Sequence, residues 1–138
     1  MNPRAALVAV LVGAAPAAGA ETAQNNYLLH CSGCHGLDGL GSKVGRVPPF
    51  PGFLGPISRA NGGRDYLVLV PGVANADLSD AETAAVLNQV LRDWGNEPAR
   101  LFTAEEVGAI RARKIDDIAA ARAQIAAELR AQGVSIDY

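Results

Sequence analysis

The chain has 138 residues, is 49% hydrophobic and 19% charged, and sets 12 Lys and Arg against 14 Asp and Glu for a formal net charge of −2. That balance lacks the basic footprint of a nucleic-acid binder, so nucleic acid is excluded as the partner. The length suits one domain with a modest core, not two.

Residues 1 to 20 read as a signal peptide: Arg4 gives a positive start, Ala5 to Ala15 is an unbroken apolar run, Pro16 interrupts it, and Ala18-Gly19-Ala20 offers a cleavage site near Ala20. A membrane span needs about 20 continuous apolar residues, and this run is too short. The expectation is therefore export to the periplasm, with no transmembrane span in the mature chain. Residues 22 to 35 predict a short helix capped by Thr22, with Tyr27, Leu28 and Leu29 as its apolar residues. Residues 36 to 78 hold most of the remaining Gly and Pro, which implies irregular backbone. Interspersed Val44, Val47, Phe50, Phe53, Leu54 and Ile57 argue that this backbone wraps something rigid and is not disordered. Within it Asp65 to Val70 reads as a strand by propensity alone. Ser79 with Glu82 forms a capping box ahead of a stripe of Leu87, Val90, Leu91 and Trp94 that stops at Gly95. Thr103 with Glu106 makes a second box before Val107 and Ile110. A last helix over residues 116 to 132 carries Ile118, Ala121, Ile125 and Leu129 at helical spacing, then Gly133.

The chemistry sits in Cys31-Ser32-Gly33-Cys34-His35, which contains both cysteines of the chain. In Cys-x-x-Cys-His the two thiols add across the vinyl groups of haem and the histidine reaches the iron as proximal ligand. Three rival readings fit less well. A redox disulfide belongs in a strand-helix-strand setting that this chain lacks. Zinc wants four ligands in a tetrahedron, and His30, Cys31, Cys34 and His35 lie in one short run. A plain structural disulfide leaves His35 without a role. Behind an export signal, the expected cofactor is one covalently attached haem c.

From residue 24 to about 94 the chain resembles the class I cytochrome c family. The resemblance is carried by Tyr27-Leu28-Leu29-His30-Cys31-Ser32-Gly33-Cys34-His35-Gly36, by Asp38-Gly39-Leu40-Gly41, and by Leu78-Ser79-Asp80-Ala81-Glu82 with Ala85-Val86-Leu87. It implies an all-α fold: a cytochrome domain over residues 21–98, then a helical extension over residues 99–138. The helix over 22–33 would cross the helix over 80–94, the middle segment would line the haem, and Asp65 to Val70 would be a short helix. It also implies that the carbonyl of Pro48 or Pro49 accepts a hydrogen bond from the free ring nitrogen of His35. The cofactor-binding set is then Cys31, Cys34, His35, Pro48, Pro49 and Tyr66, with His35 on the metal; an aromatic beside Leu67 and Val68 also fits simple core packing. The run Pro71-Gly72-Val73-Ala74-Asn75 before Leu78-Ser79-Asp80 looks like small cytochromes that accompany periplasmic dehydrogenases.

The chain departs from the family's pattern at the sixth iron ligand, usually a methionine ahead of the last helix. The single methionine here is Met1. His30 is held at the attachment edge, Lys43 would have to lose its proton, and Tyr66, Asn75 and Asp77 are the other donors. A vacant or water-bound sixth position is expected, with a lowered reduction potential. The resulting functional expectation is electron transfer between periplasmic redox proteins, without enzymatic activity, since His30 is badly placed as a distal acid/base for peroxide cleavage. Haem-based binding or sensing of CO or NO is the alternative, as is a haem subunit of a larger complex. The amphipathic helices beyond residue 100 either cover the domain's own surface or meet a partner.

Overall fold

The computed structural model describes residues 18–96 and 100–135. Most of the segment read as a signal peptide, residues 1–17, lies outside the described residues.

The stripe spaced along residues 83 to 91 builds the axis of the fold. Helices are numbered here in chain order. The longest, α6 (Asp80–Trp94), buries Thr83, Ala84, Val86, Leu87, Val90 and Leu91 along one side. Its start is the capping box expected from Ser79 and Glu82: the Ser79 hydroxyl accepts from the Glu82 amide while the Glu82 carboxylate accepts from the Ser79 amide at 2.9 Å. Against α6 lies α1 (Ala18–His30), which buries Ala23, Asn26 and Tyr27, three residues at helical spacing. Thr22 is not its cap, because the helix begins four residues earlier. Leu29 is not core either; it is 77% exposed, on the face turned away from α6. The helix expected to run unbroken to residue 35 is interrupted at Cys31 (φ −122°, ψ −40°) and resumes as α2 (Ser32–His35).

Three short helices follow: α3 (Leu54–Arg59), α4 (Gly63–Leu69) and α5 (Pro71–Ala74). The strand reading of Asp65 to Val70 is wrong, and the short helix implied by the family pattern is right. Leu67 and Val68 are both buried where α4 meets α3, α7 and α8, a packing that overrides the β-preference of the run. At the head of α4 the backbone of Gly63 comes so close to the Ile57 carbonyl that a Cβ would lie 1.7 Å from its oxygen. Val70, extended at φ −56°, ψ 139°, ends α4 just ahead of Pro71, as the residue before a proline prefers. Among the described residues there is no strand; Ser42 and Val47 form an isolated bridge.

The extension supplies α7 (Ala104–Arg111) and α8 (Ile118–Ala131), which Asp117 caps by accepting from the Ala120 amide. Only half of the second capping box forms. Thr103 accepts from the Glu106 amide, but the Glu106 carboxylate turns to Arg64 and Arg100 instead of back to the cap. Helix α7 packs on α6 and α4, and α8 packs on α4 and α3. Phe102, Val107, Ile110, Ile125 and Leu129 thereby join Leu67, Val68, Val90 and Leu91 in one continuous core. The architecture is the all-α one expected, with the extension built into it. No helix among the described residues is long and apolar enough to cross a membrane.

Candidate haem site

The break at Cys31 wraps the motif into a single turn. The Cys31 amide still donates to Tyr27 in α1 at 2.9 Å, while the amides of Cys34 and His35 both donate to the Cys31 carbonyl, at 3.2 and 2.9 Å. Two sulfurs and one imidazole are thus gathered at the end of α1. The buried Tyr27 hydroxyl pins the far side of this turn by donating to the Gly36 carbonyl at 2.6 Å. Burial first, and the neighbouring Cys31 next, push its pKa up to about 12.

From Gly36 the chain doubles back to His35. The Gly41 amide donates to the His35 carbonyl at 2.9 Å, and Ser42 and Val47 exchange backbone hydrogen bonds of 3.0 and 2.8 Å. This turn delivers the Pro48 carbonyl oxygen to 3.2 Å from His35 Nδ1. Pro49 borders the cavity beside it. A carbonyl only accepts, so Nδ1 carries the proton and Nε2 keeps a free lone pair. Burial lowers the His35 pKa while the Pro48 bond opposes that shift, and the ring is held as a neutral donor. The Phe50 ring stacks on the imidazole at 4.2 Å and 17°. Phe50 in turn meets Trp94 at 5.5 Å, and Trp94 meets Tyr27 at 5.5 Å, so the His35 side is backed by an aromatic cluster. Trp94 was legible as an apolar helix position, but not as a neighbour of this ring.

Cys31, Cys34 and His35 all border one cavity of about 450 Å³, within the usual size range of a cofactor site. Its walls are mainly apolar: Phe53, Leu54 and Ile57 from the α3 region, Leu67 and Val70 from α4 and its end, Val86, Leu87 and Val90 from α6. Cys31 is half-buried and Cys34 exposed, and the two thiols are not bridged. Burial, with Cys34 second, pushes the Cys31 thiol up. Among the described residues no three His, Cys, Asp or Glu side chains gather as a bound metal ion would need. An apolar slot bordered by two unbridged thiols and an imidazole with one free nitrogen fits a flat apolar cofactor attached at its edge.

The distal candidates separate clearly. Tyr66 lies in the cavity wall, half-buried; burial raises its phenol pKa and nearby Arg122 opposes that shift. His30 borders the cavity at the end of α1. Asn75, Asp77 and Lys43 are exposed and do not border it. Sequence reasoning missed the contribution of α8, which lends Ile118, Arg122 and Ile125 to the wall. The signal was present: positions 118, 122 and 125 share one helix face with the expected stripe.

A helical chain whose Cys-x-x-Cys-His turn opens onto such a slot has the make-up of a class I c-type cytochrome. No protein-family model matches the chain. It is 37% identical over 107 residues to the cytochrome c-552 of Thermus thermophilus, an alignment that spans 62% of this chain and 81% of that protein. The cytochrome c-552 of a second strain of the same species is likewise 37% identical over 107 residues, covering 72% of its length. The chain belongs to the class I c-type cytochromes, whose cofactor is one covalently attached haem c.

Proposed function

We propose that this chain is an exported single-haem electron carrier, with Cys31 and Cys34 as the thioether positions and His35 Nε2 as the proximal donor to iron. The observation that carries this reading is the hydrogen bond from His35 Nδ1 to the Pro48 carbonyl, on the rim of a cavity that also borders both thiols. Haem supplies reversible one-electron chemistry at its iron. Pro48 and Phe50 orient the imidazole, Cys31 and Cys34 fix the edge, and the apolar walls exclude water from the remainder. Excluding water keeps reorganisation small when charge changes. Redox proteins of the periplasm, a dehydrogenase among them, are the proposed donors and acceptors, after removal of residues 1–20 by signal peptidase.

A second reading is favoured by one specific feature. The chain has no methionine after Met1, and Asn75 and Asp77 stand outside the cavity, which leaves Tyr66 and His30 as the neutral donors on its border. A vacant sixth position would then admit CO or NO. One set of spectra tests both readings: the visible absorption of the purified exported protein, oxidised and reduced, with and without CO. A covalent haem band with a reduced spectrum unmoved by CO supports the carrier with an internal sixth ligand, whereas a shift with CO establishes ligand access. No haem band at all would refute both.

A further inference from the structure

The C-terminal extension reaches the cavity twice, and the stronger attachment is made by one side chain. Arg111, in the last turn of α7, donates to the Leu78 carbonyl at 3.0 Å, to the Asp80 carboxylate at 2.6 Å and to the Thr83 hydroxyl at 2.9 Å. Leu78 and Thr83 are both wall residues of the cavity, and Asp80 opens α6 between them. The three acceptors span the joint at which the loop after α5 enters α6. In the family pattern this is the stretch that an iron–sulfur bond ties down, and no methionine is present here to make that bond. Beyond Arg111, α8 sets Ile118, Arg122 and Ile125 against the same cavity from the α3 and α4 side. Arg111 itself is mostly shielded, with a quarter of its side-chain surface exposed. A guanidinium that bridges a carboxylate, a carbonyl and a hydroxyl at once is a directional tie, which a lysine could not reproduce.

We propose that Arg111 is a positioning residue for the wall the sixth iron position faces: by fastening the Leu78–Thr83 joint to the extension, it holds that wall closed in place of the absent sulfur ligand and limits the access of small diatomic ligands to the iron. The inference rests on the haem assignment above. It gives the extension a part in the chemistry that sequence reasoning placed outside the cytochrome domain.

The test is the rate of CO recombination after flash photolysis in the reduced, haem-loaded full chain. Arg111→Gln removes charge and fork geometry together. It is expected to speed CO binding about fivefold or more, the order expected when charge-assisted hydrogen bonds are lost from a closing equilibrium, or to confer CO binding if the parent protein has none. Arg111→Lys should fall between the two, and it carries the test should Arg111→Gln fail to load haem. Arg113→Gln breaks a different tie of the extension, the 3.0 Å pair with Asp65, which is not a wall residue, and should leave the rate unchanged. Equal rates in the parent and both Arg111 variants, or absence of CO binding in all three, would overturn the proposal. An acceleration in Arg113→Gln as large as in Arg111→Gln would overturn it too, by tracing the effect to general loosening. A parent protein without haem sinks the functional assignment itself, whereas haem present with unchanged kinetics sinks only the role of Arg111.

Discussion

The orientation of His35 is set by a backbone carbonyl, and that carbonyl is placed by a glycine. Gly41 has φ +65°, and a Cβ there would lie 2.3 Å from the Val47 oxygen and 2.7 Å from the Pro48 oxygen. Gly41→Ala therefore forces the turn to open and draws the Pro48 carbonyl away from Nδ1. A non-glycine residue held at positive φ costs about 1–3 kcal/mol before any clash is counted. The expected result is a loss of that size in denaturant unfolding, together with a higher reduction potential in the haem-loaded protein, because an imidazole without its acceptor is a weaker donor to ferric iron. Tyr27 lends itself to a pH measurement. Its pKa rises from 10.0 to about 12 on folding, so its stabilising contribution is complete below pH 10 and is lost as pH climbs through 12. In Tyr27→Phe this alkaline loss of stability should shrink, while at neutral pH the missing bond to Gly36 costs about 1 kcal/mol.

Helices were legible in proportion to how locally they are determined. Ser79 and Glu82 satisfy each other within one turn, so the start of α6 could be read directly, and Ser79→Ala should lower stability by about 1 kcal/mol in a thermal or urea melt. The cysteine motif was legible for the same reason. Thr103 and Glu106 show the same pattern but a different outcome, because Arg64 lies 42 positions away in sequence and outcompetes the cap. Its Nε and Nη2 each reach the Glu106 carboxylate at 2.7 Å, while its guanidinium lies 3.7 Å above the Phe102 ring. No local pattern announces such a partner. Asp65 to Val70 failed for a related reason, since valine and leucine look strand-like until the neighbours that bury them are known. The Arg64 clamp also predicts behaviour in acid. Hydrogen bonding from Arg64, supported by Arg100, holds the Glu106 carboxyl below its usual 4.5. Its contribution is therefore complete above that value and lost as pH falls through the lower, folded-state pKa. Glu106→Gln should flatten the acid limb of the stability–pH profile and change the alkaline limb little.

For the molecule as a whole, the decisive relation is between the extension and the domain it covers. Phe102, Val107, Ile110, Ile125 and Leu129 are each no more than 4% exposed, and they close the core over Leu67 and Val68 of α4 and Val90 and Leu91 of α6. Burying a side chain of this kind contributes roughly 1.5–3 kcal/mol, so together they approach the whole net stability of an ordinary domain, about 5–15 kcal/mol. A chain ended at residue 100 would also lose the hydrogen bonds between Asn88 and the Phe102 backbone and the three bonds of Arg111. The extension consequently behaves as core, not as an appendage awaiting a partner. Size-exclusion mass and urea unfolding of the full chain and of the chain ended at residue 100 check this. The full chain should run as a monomer. The shortened one should unfold at much lower urea or self-associate through the uncovered faces of α4 and α6. If the shortened chain were instead an equally stable monomer while the full chain formed an assembly, α7 and α8 would be interface helices, and the domain would end where the family resemblance does.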